Sequence, residues 1–414
     1  MLDRRRFTGL AAAVAASLVA LPGFAADPVR IAFIDPLSGP FAAVGTSGLR
    51  QFQFVADEIN KAGGVLGGRK LEVIGYDNKV SPAESLIQLK RVIGDNIQFV
   101  VQGNSSGVAN ALIDAVAKNN EREPDHRVLY LNYSAVDPSL TNEKCSYWHF
   151  RFDANADMKM NALTDVIAAN NNMKAIYIIG QDYSFGKAVA EAAVRDLGSK
   201  RPDIKIVGNE LHPIGKVKDF SPYIAKIKAS GAQAVITGNW GADMLGLAKA
   251  AEDAGLEIPF YTYYAAGNGI TKAIGAGGVG KVRLVGEGAA NPPMTAAWAD
   301  LNKRYKAKWP DEDWTQPRTA NTLHMLANAI NKAGSTDPAK VAAALEGMTY
   351  KTYWGDTVTM RASDHQLQMP VRIFVHTNKN IEFDLDNSGY GLLTESTVTA
   401  EKASTPTTCK MQRF

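Results

Sequence analysis

Short apolar segments alternate repeatedly with longer segments of helical periodicity along most of this chain. Four apolar segments predict strands at 29–35, 70–76, 97–102 and 127–132. Between them, apolar residues recur at the three- and four-residue spacing of an amphipathic helix. This alternation is typical of a parallel sheet with crossover helices, so the sequence predicts an α/β fold.

The same alternation starts again after Asp153. Five more apolar segments predict strands at 174–180, 204–210, 234–237, 260–263 and 282–286. From Thr295 onward the pattern is mostly helical, with one further strand predicted at 371–376. We expect two doubly wound parallel-sheet lobes in tandem, with the cleft between them as the natural ligand site.

The first 25 residues have the three parts of an export signal. They begin with the basic residues 4–6, continue with an apolar run at 10–21 and end in a small-residue cleavage site at 23–25. The run is shorter than the roughly 20 residues that a membrane-spanning helix needs, which indicates a cleaved signal. The segment at 4–7 resembles the twin-arginine export pattern, and general secretion is the alternative route. With no cysteine at the cleavage site, we expect a periplasmic protein without a lipid anchor.

The charge of the chain gives no reason to expect nucleic acid or an anionic membrane as a partner. The formal net charge is +3, from 45 basic and 42 acidic residues. Three of the basic and one of the acidic residues lie in the predicted signal, so 42 and 41 remain and the net charge falls to +1. The histidines and cysteines show no metal-ligand spacing, so we expect neither a metal nor another cofactor.

Cys145 and Cys409 are the only cysteines. In an exported chain they could form one disulfide that holds the C-terminal tail against the body of the protein. Two free thiols are the alternative.

A Gly-x-Ser-x-Gly motif at 103–107 follows a predicted strand and precedes a predicted helix, the context of a hydrolase nucleophile elbow. Catalysis by Ser105 would make the chain a serine esterase, but no HGGG-like segment precedes it and no histidine has the context of a base. A helix N-terminus at a strand end also offers free backbone N–H groups to an anion. We therefore favour Ser105 and Ser106 as ligands of a carboxylate, with simple capping of the helix as a further alternative.

Two other patterns bear on the site. The glycine-rich segment 275–280 fits Gly-x-Gly-x-x-Gly, but it precedes a strand, which is the reverse of the dinucleotide-binding order, so we interpret it as a loop. Aromatic residues follow the strands of the second lobe and are expected to line the cleft, except where they pack in the core, as Tyr261 is expected to do. They are Tyr183, Phe185, Trp240, Tyr261, Tyr263 and Tyr264.

Several segments together resemble a known family. They include IAFIDPLSGPFAAVG at 31–45, GNSSGVANA at 103–111, LYLNYSAVDPSLT at 129–141 and DYSFGKAVA at 182–190. On these segments the chain resembles the periplasmic solute-binding proteins of branched-chain amino acid ABC importers, the type I, leucine-binding-protein-like class. The resemblance implies two lobes, joined by three crossover segments, that close on a ligand and deliver it to a membrane permease.

The resemblance also implies ligand-binding residues in the first lobe. In the family, a serine after the third strand and the neighbouring backbone N–H bind the ligand carboxylate, and this serine corresponds to Ser105. A small-residue segment after the fourth strand, which adds backbone and hydroxyl contacts, corresponds to Ser134, Ala135 and Val136. Val136 stands where the family often has threonine, so a hydroxyl is lost while the N–H remains.

In the second lobe, the aromatic residues that close over the ligand correspond to Phe185 and Trp240. The acidic residue that binds the ligand ammonium in amino-acid binders corresponds to Tyr264. A buried ammonium without a counter-charge costs several kcal/mol, so this departure should weaken amino-acid binding. Asp182 would replace the missing charge if its side chain turned inward.

The boundaries that follow are a signal at 1–25, a first lobe at 26–150 and about 288–357, a second lobe at 151–287 and about 358–385, and a tail at 386–414 tied to the first lobe. We expect a monomeric, non-enzymatic carrier of a small carboxylate, either a branched-chain or other hydrophobic amino acid. An aromatic or other small carboxylate is the alternative ligand. A serine esterase, or a sensor ectodomain with a dedicated receptor, are the alternatives of other classes.

Overall fold

The computed structural model describes residues 27–288 and 291–413, so the predicted signal at 1–25 lies outside the described residues. The first lobe is built on a parallel sheet of five strands in the order β2–β1–β3–β4–β5. These strands are β1 (Val29–Asp35), β2 (Leu71–Asp77), β3 (Phe99–Gln102), β4 (Leu129–Asn132) and β5 (His149–Arg151).

The second lobe is built on a sheet of seven strands in the order β15–β14–β10–β9–β8–β6–β7. The five strands from β6 to β10 are parallel, and β14 and β15 add antiparallel strands at one edge. The strands are β6 (Ala175–Gln181), β7 (Lys205–His212), β8 (Ala234–Thr237), β9 (Phe260–Thr262), β10 (Val282–Gly286), β14 (Val371–Thr377) and β15 (Gly391–Val398).

Helices cover both sheets and complete the α/β architecture that the alternation predicts. They are α1 (Ala42–Lys61), α2 (Pro82–Gly94), α3 (Ser106–Arg122), α4 (Ala156–Ala168), α5 (Ser184–Lys200), α6 (Ser221–Ala229), α7 (Gly241–Asp253), α8 (Ile270–Ile274), α9 (Ala296–Lys308), α10 (Arg318–Ala333), α11 (Pro338–Leu345) and α12 (Ala400–Ala403). No helix in the described ranges is both long and apolar enough to cross a membrane.

Burial explains why the apolar segments became strands. All residues of β3, β4 and β8 are buried, as expected for central strands with helices on both faces. In α1, Phe52, Val55 and Ile59 are buried on the stripe that faces the sheet. The strands β1, β8 and β10 have the predicted bounds, and the other predicted strands differ by one or two residues at their ends.

The sequence predicts that the chain crosses to the second lobe near residue 357, but it crosses after β13 (Leu367–Gln368). A small antiparallel sheet of β11 (Thr349–Lys351), β12 (Thr357–Met360) and β13 lies against the first lobe. Arg151 of β5 bridges to Gln366, and its N–H donates to the carbonyl of His365. The chain therefore passes between the lobes after β5, after β10 and between β13 and β14. Most residues of β11 and β12 are not fully buried, so these strands leave no continuous apolar segment like those of β3, β4 and β8.

The sequence predicts that the tail at 386–414 is tied to the first lobe, but only its last part is. Its first part forms β15, which pairs with β14 in the second lobe. The chain then returns to the first lobe, where Cys409 forms a disulfide with Cys145. Nearby, the N–H of Thr408 donates to Asn142 at 3.0 Å. The strand was missed because only its first residue is fully buried, so it leaves no continuous apolar segment.

Candidate functional site

One cavity lies between the lobes, where the carboxyl ends of the two sheets face each other. Its lining comes from the segments that follow β3 and β4 in the first lobe and β6, β8 and β9 in the second. All nine residues predicted to bind a ligand lie in this lining: Ser105, Ser106, Ser134, Ala135, Val136, Tyr183, Phe185, Trp240 and Tyr264. Residues far apart in the sequence thus meet where parallel α/β sheets bind ligands.

Ser105 stands at the N-terminus of α3, directly before its first residue, Ser106. Its φ of +85° is unusual for a residue with a side chain and turns the loop sharply into the helix. The Ser105 hydroxyl has no hydrogen-bond partner among the described residues, whereas Ser106 Oγ accepts from the N–H of Asp137 at 3.2 Å. The N–H groups of the first helical turn have no partner within the helix, so this end is suited to an anion.

A buried carboxylate holds the loop before α3 from beneath. Asp35, at the end of β1, accepts from the N–H groups of Gly103 at 3.2 Å and Asn104 at 3.0 Å and from the Tyr133 hydroxyl at 2.6 Å. Burial raises the pKa of Asp35 to about 7, although hydrogen bonds from Tyr133, Asn104, Gly103 and Gln102 lower it. No sequence pattern indicates this role, because an acid at a strand end has many possible partners.

The segment after β4 is placed as predicted but offers fewer donors than predicted. The N–H groups of Ser134 and Ala135 both donate to Oδ1 of Asn132, at 3.1 and 2.7 Å. Their N–H groups are therefore engaged within the chain, which corrects the expectation that this stretch supplies backbone donors. The Ser134 hydroxyl accepts from Nη2 of Arg318 at 2.8 Å. Within this segment, the backbone N–H of Val136 is the donor that remains available for a ligand.

Aromatic side chains form the wall on the side of the second lobe. Nε1 of Trp240 donates to the Tyr183 hydroxyl at 2.8 Å. The ring centroid of Phe185 lies 5.6 Å from that of Tyr263 and 5.9 Å from that of Tyr264. The wall is thus a connected aromatic surface. Tyr261 lies outside the lining and packs instead beside Arg283, as expected of a core residue.

Phe41 of the first lobe packs against this wall without lining the cavity itself, and no sequence pattern indicates it. Its ring centroid lies 4.3 Å from that of Trp240. Phe41 is buried, and Gly215 and Gly241 of the second lobe both lie against its ring. A side chain at Gly241 would come within 2.6 Å of that ring, so the close approach of the lobes depends on glycine there.

Tyr264 lies among four buried charged groups that sequence analysis also missed. Nζ of Lys159 lies 4.9 Å from the Tyr264 ring centroid and 2.8 Å from Oδ2 of Asp153. Nη1 of Arg318 lies 3.2 Å from Oε1 of Glu287. Burial lowers the pKa of Arg318, but the nearby Asp153 and Glu287 outweigh it and raise the pKa overall. The two cations and two anions balance.

Asp182 does not supply the charge that position 264 lacks. Its side chain is 55% exposed, lies 3.5 Å from Nζ of Lys187 and is absent from the cavity lining. The suggestion that it turns inward is therefore wrong. The glycine-rich segment 275–280 lies between α8 and β10, as the loop interpretation expects. Within 27–288 and 291–413, no cluster of three or more histidine, cysteine or acidic side chains is arranged to hold a metal ion.

Comparison with known proteins agrees with this architecture. A family model described as periplasmic binding protein matches residues 28–380. Leu/Ile/Val-binding protein homolog 4 of Brucella abortus (strain 2308) is 33% identical over 412 residues, which are 97% of each chain. The leucine-, isoleucine-, valine-, threonine-, and alanine-binding protein of Pseudomonas aeruginosa is 29% identical over 85% of this chain and 91% of its own.

A solved structure is also similar. The closed conformation of the leucine-, isoleucine-, valine-, threonine-, and alanine-binding protein from Brucella ovis has a TM-score of 0.82 and 31% identity, over 93% of this chain and 99% of that one. The resemblance drawn from the sequence and the predicted fold class are both confirmed. The chain belongs to the periplasmic binding proteins, as a type I solute-binding protein of the branched-chain amino acid ABC transporter class.

Proposed function

We propose that this protein captures a small carboxylate solute between its two lobes and delivers it to the permease of an ABC importer. The observation that carries the proposal is the composition of the cavity wall. One lobe contributes the N-terminus of α3 with Ser105, and the other contributes Trp240 and Phe185. A ligand that touches both walls favours the closed state by the difference between its contacts in the closed and open states.

The chemistry of the wall supports a carboxylate with an apolar body. The N–H groups of α3 and the Ser105 hydroxyl suit an anion, and hydrogen bonds to a charged group contribute roughly 1.5 to 3 kcal/mol each. The aromatic wall suits an aliphatic or aromatic side chain. A branched-chain or other hydrophobic amino acid has both parts. The relatives named for leucine, isoleucine and valine binding support the same class.

An aromatic carboxylate is the second candidate ligand, and Tyr264 favours it. Its position corresponds to the ammonium-binding acid of the family, and its ring adds to the aromatic surface around Phe185. A ligand without an ammonium would not need the lost acid. The two candidates are distinguished by one measurement, which is whether an amino group on the ligand increases its affinity.

The site gives no support to the esterase alternative. None of the described histidines lines the cavity. One of them, His212, has its Nε2 3.1 Å from Oδ1 of Asn239. A serine nucleophile needs a base within hydrogen-bond reach, so Ser105 is expected to stay unlabelled by a fluorophosphonate probe.

The experiment is a thermal-shift screen of the purified protein with hydrophobic amino acids, aromatic acids and short aliphatic carboxylates. A ligand at 100 times its dissociation constant stabilises the folded state by about 2.7 kcal/mol. We expect at least one carboxylate to raise the melting temperature, with the gain lost in Trp240→Ala. The proposal fails if no carboxylate in the panel stabilises the protein.

Delivery and location need tests of their own. In cells, we expect the full chain in the periplasmic fraction and a chain without residues 1–25 in the cytoplasm. Vesicles with the cognate permease should take up the ligand only when the binding protein is added outside. Uptake that does not depend on the protein would contradict the carrier role.

A further inference from the structure

Glu287 is the single carboxylate in the cavity lining among the described residues. It directly follows β10, where the chain leaves the second lobe, and it is 4% exposed. The cations in the same lining are Lys159 and Arg318. A buried acid beside a ligand cavity calls for a partner, because an unpaired carboxylate in an apolar interior is costly.

The two carboxylate oxygens of Glu287 have different surroundings. Oε1 accepts from the backbone N–H of Arg318 at 3.1 Å and from its Nη1 at 3.2 Å. No side chain or N–H of residues 27–288 and 291–413 donates to Oε2. Since a carboxylate oxygen accepts about two hydrogen bonds, Oε2 keeps its capacity for a ligand donor.

The backbone of Glu287 is also fixed by a hydrogen bond. Nη1 of Arg372 donates to the carbonyl oxygen of Glu287 at 2.6 Å and to Oδ2 of Asp356 at 2.7 Å. The backbone and one carboxylate oxygen are thus both bound by arginines. A group fixed before the ligand arrives loses little conformational entropy on binding.

Arg318 connects Glu287 to the carboxylate-binding end of the cavity. Its Nη2 donates to the Ser134 hydroxyl at 2.8 Å, while its Nη1 binds Glu287. Ser134 in turn lies against Gly103, two residues before Ser105: a Cβ on Gly103 would come within 2.7 Å of that of Ser134. The guanidinium of Arg318 therefore bridges Glu287 and Ser134, which lies against the loop where the ligand carboxylate is expected.

The charges around the site favour a ligand that carries both a positive and a negative group. Lys159 pairs with Asp153 and Arg318 pairs with Glu287, so the cluster is neutral. An added carboxylate alone faces the positive end of α3, whereas an added ammonium alone needs an acid. A zwitterion with its carboxylate at α3 and its ammonium at Oε2 of Glu287 satisfies both and leaves the cavity neutral.

We propose that Oε2 of Glu287 accepts a hydrogen bond from the protonated amino group of the ligand, in place of the acid that position 264 lacks, and so selects amino acids over deaminated carboxylates. This inference rests on the proposed function. It makes Glu287 a specificity-determining residue supplied by the segment that joins the lobes, not by the aromatic wall.

The test compares each amino acid with the same molecule without its amino group, by isothermal calorimetry. The pairs are leucine with 4-methylpentanoate and phenylalanine with 3-phenylpropionate. In Glu287→Gln we expect the amino acids to bind about 10- to 100-fold more weakly, because a charge-assisted hydrogen bond is lost, while the deaminated partners change little. Glutamine keeps the oxygen that Arg318 needs. An equal loss for both members of each pair would overturn the proposal.

Two further variants guard against a purely structural effect. Glu287→Asp keeps the charge and should retain a preference for the amino acid, while Asp182→Asn removes an exposed acid outside the cavity and should change neither affinity. If Glu287→Gln does not fold, the wild-type comparison decides: leucine must bind at least about tenfold more tightly than 4-methylpentanoate. Equal affinities would overturn the assignment of Glu287.

The same measurements separate failure of this inference from failure of the proposed function. A protein that binds 4-methylpentanoate, 3-phenylpropionate or benzoate but no amino acid keeps its carboxylate-carrier function and refutes the role of Glu287. A protein that binds none of these carboxylates refutes both.

Discussion

The ring centroids of Phe41 and Trp240 lie 4.3 Å apart, and the two residues belong to different lobes. Phe41 directly precedes α1, and Trp240 directly precedes α7. Both rings are buried, and Trp240 also lines the cavity. The contact can exist only when the lobes are close together, so it links the ligand wall to closure.

Loss of this contact should shift the protein toward an open state. Aromatic pairs contribute about 0.5 to 1.5 kcal/mol beyond the area they bury, and Trp240 also supplies ligand contacts. We therefore expect Phe41→Ala to weaken ligand binding by about three- to tenfold and Trp240→Ala by more. Small-angle X-ray scattering with ligand should show an incompletely closed protein for both variants.

Tyr223→Ala is the matched control for that pair. Tyr223 contacts Phe220 at 5.6 Å between ring centroids, but both residues lie in the second lobe. Its removal costs an aromatic contact without touching the cleft, so closure and affinity should stay as in the wild type. Unchanged scattering of ligand-bound Trp240→Ala would refute the role of the Phe41–Trp240 contact.

The hydroxyl of Ser105 should contribute directly to ligand binding. Alanine keeps the Cβ, so the cost of φ +85° stays the same and only the hydroxyl is lost. We expect calorimetry on Ser105→Ala to show a loss of about 1 to 3 kcal/mol in binding free energy. Ser184→Ala makes the same chemical change outside the cavity and should bind normally. Equal affinity of Ser105→Ala and wild type would exclude the hydroxyl as a ligand contact.

Asp35 should make stability depend on pH. Its pKa is raised from 3.8 to about 7, so the folded state holds this proton more tightly than the unfolded chain does. Its contribution is therefore most favourable below pH 3.8, declines as the pH rises and is fully lost above about 7. Between these values we expect the stability of the wild type relative to Asp35→Asn to fall by about 1.4 kcal/mol per pH unit, measured by urea unfolding.

Asp77 provides a control of opposite sign. Burial raises its pKa, but hydrogen bonds from Ser38, Leu37 and Lys79 outweigh burial and lower the pKa overall. Asp77 thus stabilises the fold above its ordinary pKa, and this contribution is lost as the pH falls. The difference between wild type and Asp77→Asn should slope the other way. If Asp35→Asn keeps the full pH dependence of the wild type, Asp35 is not the titrating group.

The disulfide should stabilise the tail and leave the ligand site unaffected. Cys145 and Cys409 are separated by 264 residues, and a bridge across a long loop typically stabilises by 2 to 4 kcal/mol. We expect the double variant Cys145→Ser/Cys409→Ser to unfold at lower urea concentration and to lose its C-terminal residues first in limited proteolysis. Ligand affinity should not change, because neither residue lines the cavity. A variant as stable as the wild type would contradict this.

Much of the fold was visible in the sequence because parallel strands buried on both faces leave continuous apolar segments. The bounds of β1, β8 and β10 show this directly. Most residues of β11–β13 and β15 are not buried, so these strands leave no such segments and were missed. The tail was misplaced for the same reason.

At the site, the sequence pointed to residues whose type and position carry a signal of their own. Ser105 follows a strand and begins a helix, and Trp240 follows another strand, so strand order alone places both at the cleft. Phe41, Asp35 and Glu287 carry no such signal. Their roles come from contacts across sequence separations that no local pattern records.

The amino-acid sequence alone indicated two parallel-sheet lobes, the cleft between them and the family, because hydrophobic periodicity and strand-end motifs are local properties of the chain. The folded chain was needed to show which donors remain free after Asn132 binds Ser134 and Ala135, which acid lies in the cavity, and which rings meet across the cleft. Hydrogen-bond satisfaction and charge pairing depend on distances between remote residues, and folding alone sets those distances.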